Sequence, residues 1–396
     1  MAQITRKYAQ LFAAIVASAG TLYAQAPQGP MAPRPGQPVQ EAPASAQANI
    51  KQRVVLVSTP VTVRDAKGEL VDGLGPRDFR ITDNGAEQKI LHFDVGGQPV
   101  SLVILVETSS RIAPFLPQIQ KAGILLTQNV MGPSGDAAVV GFDDGVNKLQ
   151  DFTSGSDSVE NTIAHLQTGT SGARLFDAMS VAVEMLSAWP PSTSADTSLP
   201  KPIDGAASPA PARRRVLLIV AEALDTGSET KLGAVLRQAQ LANITIYSVG
   251  LSTTRAELQS KKQDEPLQMT PPGINRLPPQ PGTIQTPTTE QNRYGTINLL
   301  NLAVWAVQHA DSAIRDHPLE IAAAATGGAH FATFKDHSIE NAIDEIGGEL
   351  HSQYFIAYTP TDAATLGYHE IRVTLVHSSE KKLKIRARPG YYLPSP

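Results

Sequence analysis

The side chains able to do chemistry are few and scattered. The chain has no cysteine, which excludes a thiolate nucleophile, a thiolate metal site and a disulfide framework. Its nine histidines stand singly, with no His-Glu-x-x-His and no pair at metal spacing on one helix, so each reads as a packing or surface residue. A Gly-x-Ser-x-Gly elbow, a Walker loop and a Gly-x-Gly-x-x-Gly fingerprint are all missing. Asp143 and Asp144 in GFDDG are adjacent carboxylates, but the spaced Asp-x-Asp-x-Asp-Gly loop of a calcium site is absent, and a hairpin turn is the simpler reading. Ser228, in Asp225-Thr226-Gly227-Ser228 ahead of a helical stretch, reads as an N-cap rather than a nucleophile. The runs Arg213-Arg214-Arg215 and Lys381-Lys382 flank strands and read as solvated edge protection.

Composition narrows the class further. With 33 basic and 37 acidic side chains and a formal net charge of −4, the chain lacks the excess of Lys and Arg that phosphate binding needs, so nucleic acid is not an expected partner. A length of 396 residues predicts two or three domains. Aromatics at 5% are sparse while Gly and Pro number 30 each, so part of that length reads as linker. Arg6 and Lys7 precede an apolar stretch from Leu11 to Tyr23, too short for a span of about 20 residues, and Ala24-Gln25-Ala26 offers a cleavage site. Residues 1–26 therefore read as a signal peptide cut after Ala26, with Ala24 the alternative, and the expected location is secreted or periplasmic with no membrane span in the mature chain. Residues 27–50, rich in Pro, Gln and Ala, read as a disordered linker, and 190–212 and 258–295 as disordered insertions.

Between these tracts the hydrophobic period changes twice. Arg53 to Arg64, Phe79 to Thr82 and Lys89 to Val95 read as strands, with a turn at Asp83-Asn84-Gly85. Near the other end, His369 to His377 and Lys382 to Arg388 read as a hairpin. Neither group is enough for a sandwich by itself, so 51–97 and 361–396 are expected to pair as two halves of one β-sandwich with 98–360 inserted between them. Val100 to Val106, Ala137 to Phe142, Arg215 to Ala221 and Ile244 to Leu251 are buried-strand runs alternating with helical stretches at Ile112 to Val130, Ser158 to Leu166, Leu175 to Trp189 and Lys231 to Ala242. Helices at Pro318 to Ala325 and Ile339 to His351, with strands at Ala329 to Ala332 and Gln353 to Tyr358, complete the pattern. The fold class is α/β, a doubly wound, mostly parallel sheet.

The segments DGLGPRDFRITDNGAEQKILHFD (Asp72 to Asp94), SLVILVETSSR (Ser101 to Arg111), VVGFDDGVNKLQDFT (Val139 to Thr153), ARLFDAM (Ala173 to Met179), RRVLLIVAEALDTGS (Arg214 to Ser228), ITIYSVGL, YFIAYTP and RARPGYY occur in an order that resembles the von Willebrand factor type A domain. The likeness is to its divergent copies in secreted, acidobacterial-type bacterial proteins, and it covers nearly the whole mature chain. It implies a metal-ion-dependent adhesion site at the C-terminal edge of the sheet, built from an Asp, two serines, a Thr and a second Asp. By that correspondence Glu107 stands for the first Asp, Ser109 keeps the first serine, Arg111 replaces the second, Ala173 replaces the Thr, and Glu222 stands for the second Asp. Asp177 falls on a position that is usually structural.

Glu107, Ser109 and Glu222 are thus the remaining metal ligands that the resemblance implies, for Mg²⁺ or Mn²⁺. Arg111 and Ala173 count against any metal, because a guanidinium cannot ligate and octahedral Mg²⁺ tolerates a poor oxygen set badly. Thr170 and Ser171 are candidate replacements for the lost hydroxyl. Two arrangements of Arg111 are open: it pairs with Glu107, Glu222 or both in the metal's electrostatic place, or it points to solvent. The expected function is a non-enzymatic, adhesion-type module that binds an extracytoplasmic protein through this degenerate site, without a cofactor. The alternatives are a structural or assembly protein with an inert top face, and a hydrolase using Ser109 on an adapted scaffold.

Overall fold

The computed structural model describes residues 56–189, 213–251, 274–276, 294–297, 299–310, 317–333, 338–362, 365–376 and 383–393. The signal peptide at 1–26, the linker at 27–50 and the insertion at 190–212 lie outside these residues. Val100–Glu107 (β5) is buried at every position, as a strand covered on both faces must be. Alternation sorts its side chains: Val103 and Leu105 enter one core and Leu102, Ile104 and Val106 the other. Asp136–Phe142 (β6), Arg214–Ala221 (β8), Ile244–Leu251 (β9) and His330–Thr333 (β12) run parallel with it, and Val146–Thr153 (β7) closes one edge antiparallel. The order is β12-β9-β8-β5-β6-β7, the doubly wound, mostly parallel sheet expected.

Helices cover both faces. Leu175–Ala188 (α4), Leu232–Leu241 (α5), Leu299–Gln308 (α6) and Pro318–Thr326 (α7) pack over one core. Leu116–Lys121 (α1), Gly123–Leu125 (α2), Ser156–Ala164 (α3) and Ile339–Ser352 (α8) pack over the other. The single helix expected at Ile112 to Val130 is instead a 3-10 turn at Ser110–Ile112, then α1, α2 and a π-helical turn at Leu126–Met131. Pro117 in the first turn sets where α1 begins, and Gly123 lies where α3 passes close, a Cβ there meeting Ile163 at 3.4 Å. Helix α6 was not expected from the sequence. Most of the insertion read at 258–295 also lies outside the described residues; where it is described, Ile274–Arg276 (β10) pairs antiparallel with Tyr294–Ile297 (β11).

Two four-stranded antiparallel sheets form the sandwich. One has the order β15-β1-β13-β4 and the other β16-β14-β2-β3, from Val57–Arg64 (β1), Phe79–Asp83 (β2), Ala86–Gln88 (β3), His92–Val95 (β4), Tyr354–Tyr358 (β13), Gly367–Leu375 (β14), Lys384–Ala387 (β15) and Gly390–Leu393 (β16). Strands from the two chain ends interleave, and Val61, Ile81, Tyr354 and Ile371 share one core. Asn84 (φ 48°) and Gly85 (φ 83°) make the expected β2–β3 turn, both in the left-handed region that a tight hairpin requires. Asp83 is buried beside it and accepts from Tyr358 Oη at 2.9 Å, Tyr391 Oη at 2.8 Å and His369 Nδ1 at 2.9 Å, which gives one buried carboxylate three donors.

Two strand readings are corrected. Gln353 to Tyr358 does not extend the parallel sheet; β13 lies antiparallel between β1 and β4. It fills the gap between those strands and turns Tyr354, Ile356 and Tyr358 into the sandwich core, and a short apolar run carries no mark of its direction. The expected hairpin of His369 to His377 with Lys382 to Arg388 also fails: β14 pairs with β2 and β16, whereas β15 pairs with β1 in the opposite sheet. β14 is held between β2 and β16 and β15 lies at the edge beside β1, so the two strands fall in different sheets.

The junction of sheet and sandwich is charged. Glu349 of α8, with a side chain fully buried, accepts from Thr62 Oγ1 at 3.1 Å, Arg64 Nη2 at 3.3 Å, Tyr247 Oη at 2.8 Å and Arg386 Nη2. Its carboxyl is held below the usual glutamate range because the Arg386 and Arg64 guanidiniums and these hydrogen bonds outweigh burial. Glu349→Gln leaves the arginines without a counter-charge, and urea unfolding at neutral pH is expected to show a loss of about 3 kcal/mol. A depressed folded pKa contributes stability above the unfolded value and loses it on acidification. The difference between the proteins is therefore full above about pH 4.5 and disappears as pH falls through the depressed value; a pH-independent difference would contradict the charge assignment.

Candidate functional site

Strands β5 and β8 are parallel neighbours, in register through Val106 opposite Val220. Their C-terminal ends therefore deliver Glu107 and Glu222 side by side. The chain leaves β5 toward β6 on one side and later returns as β8 on the other, so the two carboxylates sit at the point where the winding reverses, the usual ligand crevice of open α/β sheets. Both are buried, their side chains 0% and 1% exposed.

Arg111, from the 3-10 turn after β5, reaches between them. Its Nη2 donates to Glu107 Oε1 at 2.9 Å, its Nε to Glu222 Oε2 at 3.1 Å and its Nη1 to the Ser171 carbonyl at 3.1 Å. Of the two arrangements left open by the sequence, the structure adopts the one that pairs Arg111 with both carboxylates; its side chain is 16% exposed. Glu107 has two further donors: Ser109 Oγ donates to Oε1 at 2.5 Å and the Glu222 amide to Oε2 at 2.8 Å. The Ser109 hydroxyl is fully buried and its hydrogen is engaged by Glu107.

The loop carrying Ser171 is shaped by Asp143. Asp143 Oδ2 accepts from the Thr170 amide and Oδ1 from the Gly145 amide, both at 2.9 Å, while its own carbonyl accepts from the Arg174 amide at 2.8 Å. These backbone donors hold its carboxyl below the usual range. Ser110 N bonds the Thr170 carbonyl and Gly169 N the Thr108 carbonyl, each at 2.7 Å. A Cβ at Gly169 or Gly172 would collide with Asp143 or Asp144, so these glycines allow the loop to close on the β6–β7 turn.

Ala173 is fully buried in the core and contributes backbone: its amide donates to Thr226 Oγ1 at 2.7 Å and its carbonyl accepts from the Thr226 amide at 2.8 Å. Of the two candidates for the lost hydroxyl, Thr170 Oγ1 accepts from the Asp144 amide at 3.2 Å and Ser171 offers its carbonyl to Arg111. Ser228 is not the cap of the helix that follows it. Its Oγ accepts from Phe176 N at 3.0 Å and Asp177 N at 3.1 Å, closing the first turn of α4, because α5 begins only after Lys231. Asp177 answers by accepting from Thr230 N at 2.9 Å and Glu229 N at 3.2 Å and pairing with Arg174 at 2.9 Å.

The site holds two carboxylates and one guanidinium in a largely dry place. Burial and the nearby Glu107 carboxylate push the Glu222 carboxyl up, and Arg111 opposes this. The donor set does not fit a divalent cation. Mg²⁺ and Mn²⁺ require a shell of oxygens, whereas here hydrogen-bond donors of Arg111 and Ser109 already occupy the facing lone pairs of both carboxylates. Among the described residues, no group of three or more His, Asp or Glu side chains is placed to hold a metal ion.

No protein-family model matches the chain, and no curated protein sequence matches it. Among solved structures it is similar to BatB, a conserved hypothetical protein from Bacteroides thetaiotaomicron, at 11% identity and a TM-score of 0.36, covering 63% of this chain and 98% of that one. It is also similar to an aerotolerance-related membrane protein from Bacteroides fragilis at 12% identity and a TM-score of 0.34, covering 63% and 98%. A third similar structure is the VWA domain of SpRpn10, at 10% identity and a TM-score of 0.28, covering 40% of this chain and 78% of that one.

Proposed function

We propose that this chain is an extracytoplasmic, non-enzymatic protein-binding module of von Willebrand factor A type. It presents the C-terminal edge of its sheet, around Glu107, Ser109, Arg111, Ala173 and Glu222, to a protein partner without a metal ion. The observation that carries this reading is the Arg111 guanidinium bridging Glu107 and Glu222. A fixed side-chain cation there replaces an exchangeable one, and it leaves no open coordination position for a partner carboxylate. The charged loops around it, held by Asp143 and Asp177, then form the contact surface. The signal-peptide pattern at 1–26 supports an extracytoplasmic setting, and among the described residues no helix is long and apolar enough to cross a membrane.

Three measurements bear on this. Thermal unfolding of the full chain in MgCl₂ or MnCl₂ is expected to show no saturable rise in midpoint, and a saturable rise would overturn metal independence. Arg111→Ser leaves two buried carboxylates facing each other and is expected to cost about 3–5 kcal/mol in urea unfolding; a loss below about 1 kcal/mol, as for a surface pair, would sink the bridging role. Cross-linking capture from native extracytoplasmic extract is expected to give the same partner with and without chelator and to lose it with Arg111→Ala, the variant first being shown to be folded by circular dichroism. Capture that survives in folded Arg111→Ala would place the contact elsewhere and favour an inert top face.

The raised Glu222 carboxyl gives a pH test with the opposite sign to that of Glu349. Its proton binds more tightly in the folded protein, so its contribution is fully present below the ordinary value of 4.5 and is lost as pH rises through the raised folded value. Relative to Glu222→Gln, the parent protein is expected to lose stability across that window and change little above it. A difference that grows in the parent's favour as pH rises would contradict the assignment.

A further inference from the structure

At the opposite edge of the sheet, a recess of about 20 Å³ opens where β8 and β9 begin and the sandwich strands β1 and β13 pass by. Four arginines line it, Arg213, Arg214, Arg215 and Arg388, together with the hydroxyl residues Ser58 and Thr245. This corrects the reading of Arg213-Arg214-Arg215 as solvated edge protection: β8 is an interior strand, and Arg214 is only 7% exposed.

The charges around the recess do not balance. Arg213 pairs with Asp136 at 2.8 Å. Arg214 donates to the Leu350 carbonyl at 2.5 Å and to Gln353 Oε1, both neutral acceptors, with Glu349 and Asp94 acting on it from further away. Arg215 donates to the Trp189 and Ala242 carbonyls at 3.3 and 3.1 Å. Arg388, 4% exposed, donates from Nη1 to Asn243 Oδ1 at 3.1 Å, and its buried Nε has no hydrogen-bond partner. Among the described residues, neither Arg215 nor Arg388 has a carboxylate at ion-pair distance. Burial lowers both, Arg388 to about 10, with Asp83 acting on Arg388 from further away, while no carboxylate stands among the causes acting on the partly buried Arg215.

Guanidinium groups stay charged in proteins, and a buried charge left uncompensated costs several kcal/mol. Among the described residues no carboxylate touches Arg388, whose buried Nε lacks a partner and on which Asp83 acts only from further away, and the volume admits a single species little larger than water. We propose that the recess is an anion site that takes one chloride-sized monovalent anion, held by Arg388 and Arg215 at the joint between the α/β sheet and the sandwich. The site is independent of the top-face reading, since it shares no residue with it. It is too small for an organic phosphate or a nucleotide, and the anion serves as a counter-charge that ties the two layers together.

The test is thermal unfolding of the full chain at constant ionic strength, with sodium gluconate exchanged for sodium chloride or bromide. A ligand that binds only the folded state raises the midpoint saturably. The expected result is a saturable rise of a few degrees in chloride and bromide, absent in Arg388→Met and reduced in Arg215→Gln. Crystals grown in bromide are expected to show an anomalous peak in the recess. The proposal fails if chloride and gluconate give the same midpoint, if both variants keep the full response, or if bromide is found only outside the recess. Should Arg388→Met not fold, Arg215→Gln and the anomalous peak in the parent protein decide the matter.

Discussion

One buried carboxylate, that of Glu349, joins everything else. It sits on the last helix before the chain returns to the sandwich, and it is met by Tyr247 from β9 of the parallel sheet, Thr62 and Arg64 from β1 and Arg386 from β15. Those partners come from three regions far apart in sequence. A charge buried in this way is tolerable only when its donors are all present, so the chain ends must meet over α8 for the helix to pack at all. In a chain without cysteine, this cluster and the interleaved strands β1, β13 and β15 take the place of a covalent staple.

The same constraint is solved twice more by different means. In the sandwich, Asp83 is satisfied by two tyrosine hydroxyls and a histidine, all of them on buried residues. At the top of the sheet, Glu107 and Glu222 are brought together by strand register and are satisfied by Arg111, Ser109 and a backbone amide. A guanidinium is planar, permanently charged and covalently attached, so the top face is assembled as soon as the chain is folded. A metal-bearing site would instead be completed by an ion whose loss leaves carboxylates opposed. Burial and the neighbouring Glu107 carboxylate push the Glu222 carboxyl up while Arg111 opposes them, which couples this arrangement to the proton equilibrium of Glu222.

Much of this was legible in the residues. Strands β5, β6, β8 and β9 follow from apolar runs, α4 and α8 from helical spacing, and the β2–β3 turn from Asn84-Gly85, because each depends on neighbours in sequence. The candidate residues were named through the order of the motifs they sit in, but whether Arg111 pairs with Glu107 and Glu222 or points to solvent stayed open until the structure placed it between them. What was missed is non-local. The direction of β13 is set by the gap between β1 and β4, the separation of β14 from β15 by the distant strands each one pairs with, and the role of Ser228 by a helix end more than 50 residues earlier. The Arg213-Arg214-Arg215 run looked like a solvated edge because a basic run carries no sign of whether its strand is central.

By itself, then, the sequence determined the α/β class, the presence of strands at both chain ends and the residues able to meet at the top of the sheet, since period and composition act over a few residues. Tertiary structure decided which strands became neighbours, which arginines were buried and what each carboxylate found to bond. Those outcomes rest on the cost of leaving a charge or a sheet edge unpaired, and that cost is incurred only when distant segments exclude water together.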